Sequence, residues 1–205
     1  MKPQRPLSEA PLRITLTMSG SAVSRFFPIL GEGILVKGPG RESVERFLQQ
    51  AAGVSPDYLK NNVQTVFLDG TALDDFSTAV VRDGSTLALS AAMPGLAGAV
   101  LRRGGFYAAM RRQISYDDSA KTQAGAEISA TLKLFNLVAR DLGPELLKRG
   151  IHIPGNRLKD FIARQGRWLW KECAAAEADG RSIEAETIAG LLDSETQVVL
   201  VVEAA

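Results

Sequence analysis

Apolar and polar residues alternate at the start of each half of the chain. Apolar side chains occupy every second position from Leu12 to Met18, and again from Ile128 to Leu134. Period-two alternation is typical of a strand with one buried and one exposed face. The sequence therefore predicts a strand at the beginning of each half.

Further landmarks recur in the same order in both halves. The apolar pairs Ile29-Leu30 and Leu146-Leu147 each precede a glycine and a short apolar run, a pattern that predicts a short strand returning from a turn. A Gly/Pro segment follows in both halves, and then a predicted helix with apolar residues at i, i+3 and i+4. These residues are Val44, Phe47 and Leu48 in one half, and Leu158, Phe161 and Ile162 in the other.

Each half closes with a turn and an alternating strand. Asp69-Gly70 and Asp179-Gly180 are turn signals, and apolar residues alternate again near Leu87 and Val198. The order β-β-α-β-β therefore occurs twice, which indicates an internal duplication. We expect the cores to contain Leu16, Ile34, Val36, Val44, Phe47, Leu48, Leu87 and Leu89 in the first half, and Leu132, Leu134, Ile151, Leu158, Phe161, Ile162, Val198 and Leu200 in the second.

A family resemblance is carried by short motifs. Leu132–Gly143 resembles the opening strand and turn of the MoaD/ThiS sulfur-carrier proteins, and Arg82–Leu87 resembles the Asp-Gly segment before their last strand. The resemblance implies the ubiquitin-like β-grasp fold. We therefore expect an α+β protein with two tandem β-grasp domains, each a mixed sheet packed on one helix. Their predicted ranges are 8–93 and 127–205, joined by a basic connector at 94–126.

The chain departs from that family at its end. Sulfur carriers and ubiquitin use a C-terminal Gly-Gly carboxylate, whereas the second half here ends at Val202–Ala205 without glycine. Leu101–Gly105 resembles the end of ubiquitin, and cleavage after Gly105 would expose a carboxylate behind Gly104 and Gly105. The alternative, which we favour, is a glycine-containing linker, because adjacent glycines are common in loops.

The connector is positively charged, although the whole chain is nearly neutral. Residues 94–116 contain four arginines and no acid. Two interpretations stay open: a docking segment for an acidic partner, an anionic cofactor, RNA or a membrane surface, or an ordinary connector with solvated charges. The candidate partner-binding residues are Arg102, Arg103, Phe106, Tyr107, Arg111 and Arg112.

Composition excludes several classes of protein. Lys and Arg number 24 against 23 Asp and Glu, a net charge of +1 that gives no support to nucleic-acid binding. The single cysteine, Cys173, and the single histidine, His152, argue against a disulfide framework, a zinc site or a Cys-His pair. We expect no metal and no cofactor. With no apolar run long enough to span a bilayer and no signal-peptide pattern, we expect a cytoplasmic protein.

Three single residues have simple structural interpretations. Alternation predicts that His152 lies on the exposed face of a strand, opposite Ile151 and Ile153. Cys173 is interpreted as a small buried apolar side chain. Trp168 and Trp170 fit an edge strand or a helix end, packed in the core.

These observations lead to three hypotheses on function. The leading one is a non-enzymatic protein-binding module of the ubiquitin and sulfur-carrier type, since such sheets bind partners by a face or an edge. The second is a modifier or sulfur carrier activated by cleavage after Gly105, with a ubiquitin-activating-type enzyme or a metal-dependent isopeptidase as partner. The third is an enzyme with a site between domains, for which the sequence offers no constellation of catalytic residues.

Overall fold

The computed structural model describes residues 10–91 and 126–205, and the chain divides into two compact units. The terminal unit comprises Met1–Ile29 and Pro144–Ala205, and the central unit comprises Leu30–Gly143. The strands are β1 (Leu12–Met18), β2 (Ile34–Pro39), β3 (Thr65–Leu68), β4 (Thr71–Leu73), β5 (Thr86–Ser90), β6 (Glu127–Phe135), β7 (Ile151–Pro154), β8 (Cys173–Ala178), β9 (Arg181–Ser182) and β10 (Gln197–Ala204). The α-helices in the described residues are α1 (Phe27–Glu32), α2 (Val44–Ala52), α3 (Pro56–Asn62), α4 (Asn136–Arg149), α5 (Gly155–Gln165) and α6 (Trp168–Lys171). Within the described ranges, 3-10 helices span Ala22–Phe26 and Ala185–Leu191.

The central unit is built on strands in the order β4-β3-β5-β6-β2. The pair β5 and β6 is parallel, and the other pairs are antiparallel. Helix α2 begins at the Ser43 cap, whose hydroxyl accepts the Arg46 N–H at 3.4 Å, and ends at the left-handed Gly53. Phe47 of α2 packs so closely on β2 that a Cβ at Gly38 would lie 2.9 Å from its ring. This packing places α2 against the core face of the sheet.

The terminal unit has strands in the order β7-β10-β1-β8-β9. Here β1 and β10 are the parallel pair, and the other pairs are antiparallel. Read from β2 in the central unit and from β7 in the terminal unit, both units therefore share one sequence of pairings: antiparallel, parallel, antiparallel, antiparallel. The prediction of an α and β protein with mixed strand pairing is confirmed.

Matching turns show which strands are structurally equivalent. The hairpins β3-β4 and β8-β9 turn at Asp69-Gly70 and Asp179-Gly180, with positive φ angles at both residues of each turn (50° and 82°, 48° and 76°). The Asp69 carboxylate accepts the N–H of Thr86 in β5 at 2.7 Å. The Asp179 carboxylate accepts the N–H of Arg13 in β1 at 2.9 Å. Strand β1 therefore occupies in the terminal unit the place that β5 occupies in the central unit.

Each first strand pairs with strands of the opposite half, an arrangement that we call the exchange of first strands. Strand β1 pairs with β10 and β8 of the second half, whereas β6 pairs with β5 and β2 of the first half. The compact units consequently differ from the contiguous ranges 8–93 and 127–205 that the repeat predicts. The repeat could not predict this difference, because β1 and β6 carry the same alternating pattern, which assigns each strand a buried face but no partner strands. Of the predicted connector at 94–126, all but Ala126 lies outside the described residues.

The burial predicted for the core is confirmed, but Leu16, Leu132 and Leu134 belong to the compact unit of the opposite half and not to the one predicted for them. All sixteen expected core side chains are at most 7% exposed. The two helical triplets of the repeat, around Phe47 and Phe161, are buried at equivalent positions. Each such side chain contributes about 1.5–3 kcal/mol through the hydrophobic effect.

The prediction of β-β-α-β-β in each half is incomplete. Ile29-Leu30 and Leu146-Leu147 lie in α1 and α4, so a helix separates the first two strands, and only the residues after the glycines form β2 and β7. Gly33 and Gly150 have φ angles of 114° and 101°. Such angles suit glycine and let each helix end directly before a strand.

Three predictions for single residues have different outcomes. His152 is half-exposed between the buried Ile151 and Ile153, as alternation predicts. Cys173 is half-exposed at the start of β8, so its interpretation as a buried residue is wrong. Trp168 is 64% exposed on α6, so core packing is wrong for this residue; on a four-residue helix it faces solvent while Leu169 fills the interior.

Hydrogen bonds in the loop before β10 lead us to expect a dependence of stability on pH. The Asp193 carboxylate accepts hydrogen bonds from the Thr196 hydroxyl at 2.6 Å and from the Thr196 and Glu195 N–H groups. These bonds, above all the hydroxyl of Thr196, hold the pKa of Asp193 below its usual value of 3.8. A lowered pKa stabilises the fold above the unfolded pKa, and this contribution is lost as pH falls through the folded pKa.

We therefore expect Asp193→Asn to weaken the dependence of stability on pH below about pH 4. Urea unfolding midpoints between about pH 2.5 and 6 measure this dependence. Thr196→Val should reduce the dependence in the same direction, because it removes the shortest bond. If the urea midpoint changes with pH in both variants as steeply as in the wild type, Asp193 has no part in acid unfolding.

Candidate protein-binding face

A half-exposed sheet face lies on the side of the central unit opposite its core. The odd-numbered residues of β6 and the even-numbered residues of β5 point to this side, because their neighbours in sequence are buried. We define the central face by Leu35, Phe67, Ala88, Thr131, Lys133 and Phe135. Five of these residues are partly exposed, and Phe135 is 40% exposed.

The strand register brings these side chains together in rows. Phe67 lies opposite Ala88, and Ala88 lies opposite Lys133, so an aromatic ring, a methyl group and an ammonium share one line across three strands. Leu35 lies opposite Thr131 in the neighbouring row. Directly opposed side chains on one face are about 5 Å apart. The face therefore combines apolar area with a cation.

The end of β6 extends this apolar area. Phe135 pairs with Ser90 at the end of β5, and Leu137 is 48% exposed at the start of α4. Between them Asn136 has a φ angle of 53°, and its side-chain amide donates to the Ser90 hydroxyl at 3.2 Å. The left-handed residue turns the chain sharply from strand into helix. Two large apolar side chains are thus held at the surface by a fixed turn.

An aromatic and basic patch lies on the terminal unit. The Lys171 Nζ lies 3.9 Å from the ring centroid of Trp168, a cation–π contact at an exposed site. Arg167 is exposed beside it. The nearby Glu172 carboxylate forms an ion pair with Arg25 at 2.6 Å and accepts a hydrogen bond from the Ser19 hydroxyl at 3.1 Å. The sequence does not predict this patch, because the paired tryptophans resemble core residues; the flanking Arg167 and Lys171 are the signal that distinguishes it.

Two side chains of the described residues that could act as nucleophiles, Cys173 and Tyr58, have raised pKa values. Burial raises the pKa of the Cys173 thiol, which keeps it protonated at neutral pH. Burial, with the hydrogen bond to Asp141 at 3.1 Å, raises the pKa of Tyr58 to about 12. Both groups therefore remain weak nucleophiles at neutral pH.

Metal binding and a membrane-spanning helix have no support in the described ranges. No group of three or more His, Cys, Asp or Glu in these ranges is placed to hold a metal ion. The Asp75 carboxylate, next to Asp74 in sequence, accepts hydrogen bonds from the hydroxyl and the N–H of Ser77, which lower its pKa. No helix within residues 10–91 or 126–205 has the length and hydropathy of a membrane span.

The site residues predicted from the sequence lie outside the described residues. This applies to Gly104 and Gly105, and to Arg102, Arg103, Phe106, Tyr107, Arg111 and Arg112. The described chain offers in their place the central face and the patch at Trp168. The alternation of β5 and β6 predicts that these strands have a half-exposed face. The set of side chains on that face also depends on which strands are neighbours.

Comparisons with known proteins add no assignment. No protein-family model, no curated protein and no solved structure matches the chain.

Proposed function

We propose that this protein is a non-enzymatic, cytoplasmic protein-binding module made of two β-grasp-like units with exchanged first strands. The resemblance to the MoaD/ThiS family supports this proposal, as does the helix packed on a five-stranded mixed arrangement in each unit. The observation that carries it is the central face, where partly exposed apolar side chains surround Lys133. Such a face binds a partner without catalytic residues.

The chemistry of the face defines the partner that we propose. Phe67, Ala88, Leu35 and Phe135 offer apolar contact, and Lys133 and the exposed Lys37 add positive charge. A protein surface with an apolar centre and an acidic rim is the complement of this arrangement. Aromatic residues at the centre of an interface contribute most of the binding free energy.

We expect Phe67→Ala and Lys133→Glu to weaken binding of such a partner by about 5- to 30-fold each, corresponding to about 1–2 kcal/mol. The partner is first captured from native lysate and purified, and its affinity is then measured by titration calorimetry. Lys148→Glu is the matched control, because Lys148 is an exposed lysine on α4 that is not among the residues defining the face. Equal affinities for Phe67→Ala, Lys133→Glu and wild type would rule out the central face as the binding site.

The second candidate is a modifier or sulfur carrier produced by cleavage after Gly105. It rests on the resemblance of Leu101–Gly105 to the end of ubiquitin. Its partners would be a ubiquitin-activating-type enzyme and a metal-dependent isopeptidase. Intact mass after incubation in native lysate tests it: a fragment ending at Gly105, or an adduct abolished by Gly105→Ala, would favour the carrier. An unchanged mass would favour the binding module.

A further inference from the structure

The two halves of the chain hold each other by strand pairing in both units. Strand β1 lies between β10 and β8, with Leu12–Met18 paired to Val198–Ala204. Strand β6 lies between β2 and β5, with Ile34 opposite Leu132 and Leu87 also opposite Leu132. Each half therefore supplies an interior strand to a sheet whose other strands come from the opposite half.

The exchanged strands bury their whole core face. All four inward side chains of β1 are at most 6% exposed, and the four of β6 are at most 3% exposed. These residues are Leu12, Ile14, Leu16 and Met18 in β1, and Ile128, Ala130, Leu132 and Leu134 in β6. An interior strand with a buried face and two paired edges is costly to remove, because it would leave backbone groups and apolar side chains without partners.

Contacts outside the strands also join the halves. In the terminal unit, the Phe26 and Phe161 rings lie 5.4 Å apart, and Arg25 and Glu172 form an ion pair at 2.6 Å. In the central unit, the Ser129 N–H donates to the Asp83 carboxylate at 2.9 Å. The Thr131 N–H donates to the Ser85 carbonyl at 2.8 Å. The last two contacts are made by β6, and helix α4 adds another, because the Tyr58 hydroxyl donates to the Asp141 carboxylate at 3.1 Å. The halves are therefore joined at more than one element in both units.

From these contacts we infer that the two halves form a stable complex without a covalent link. If the chain is cut between Ala91 and Ala126, the N-terminal fragment stays bound to the C-terminal fragment through β1 and β6. Each fragment is thus the specific partner of the other. The inference rests on strand pairing and not on the proposed function. An experiment that refutes the fragment complex therefore leaves the proposed binding function untouched, and the reverse also holds. The inference adds a consequence for the carrier hypothesis: a fragment ending at Gly105 would keep the second half as a bound subunit.

The test uses the full chain with a specific protease recognition sequence inserted between Gly105 and Phe106. After complete cutting, size-exclusion chromatography with light scattering measures the mass in native buffer and in urea. We expect one native species with both fragments, close to the 22.0 kDa of the uncut chain, which separates only in urea. A 100-fold dilution should leave it intact. Two native species, each with one fragment, would overturn the inference.

Two variants show whether the exchanged strand carries the association. Leu132→Asp in the cut protein should weaken the association, so that the fragments separate at a higher concentration than in the cut wild type, because it places a carboxylate in the buried row of β6 and leaves β1 as the intact strand link. Lys133→Gln, one position along on the half-exposed face, should leave them associated. Release by both variants, or by neither, would contradict the role assigned to the buried row. Circular dichroism before cutting verifies that each variant is folded.

Discussion

Replacing Leu16 with aspartate is expected to destabilise β8 and β10, and to leave β2, β3 and β5 protected. Leu16 is 2% exposed and lies in β1 between Val202 and Ala176. A buried carboxylate without a partner costs about 3–5 kcal/mol, a large part of the stability of an ordinary domain. The damage should fall on the strands that border the substituted position.

Amide hydrogen exchange read by mass spectrometry measures where protection is lost. Leu132→Asp is the reciprocal variant, for which we expect the loss in β2 and β5. Thr15→Ser, on the half-exposed face of β1, is the control that should leave protection unchanged. Loss of protection in β2 and β5 on substitution of Leu16 would mean that β1 belongs with the first half.

Replacing Phe161 with alanine is expected to lower the free energy of unfolding by about 3–5 kcal/mol. The ring is 1% exposed on α5, so its removal leaves a cavity beneath the helix. Urea unfolding measures the loss. Phe47 of α2 is buried at the equivalent repeat position, and Phe47→Ala should cost a similar amount.

The contact between Phe161 and Phe26 makes this prediction specific. Their rings are tilted by 38° with centroids 5.4 Å apart, so the double variant with Phe26→Ala should show a coupling of about 0.5–1.5 kcal/mol. Phe26→Ala combined with Phe47→Ala is the matched control, with additive effects expected. Additivity in the Phe26 and Phe161 pair would argue against the contact between the first-half 3-10 helix and α5.

The core and the turns could be predicted because their signals are local. The i, i+3, i+4 triplets fix the buried faces of α2 and α5 without reference to any partner. The Asp-Gly pairs predict the two hairpin turns, because Asp and Gly tolerate the positive φ angles found there. His152 follows in the same way from alternation along β7.

The strand partners could not be predicted, because they are not encoded locally. Strands β1 and β6 alternate alike, so the pattern assigns each a buried face but not a sheet. The helices before Gly33 and Gly150 were missed because an apolar pair before a glycine suits a strand or a helix equally. The composition of the central face depends on the register of β3, β5 and β6, which only the three-dimensional structure supplies.

The exchange of first strands is tested most directly by a cross-strand disulfide. Thr17 and Ala175 lie opposite each other in β1 and β8, and Cα atoms of such antiparallel partners are 4.5–5.5 Å apart in general, within the range of a disulfide. In a Cys173→Ser background, Thr17→Cys with Ala175→Cys should form an intramolecular disulfide on mild oxidation. Arg13→Cys with Ala175→Cys, at the far end of β1, should not form one. A third variant combines Thr17→Cys with Ala88→Cys in β5. Free thiols in the first variant, together with a disulfide in the third, would contradict the exchange.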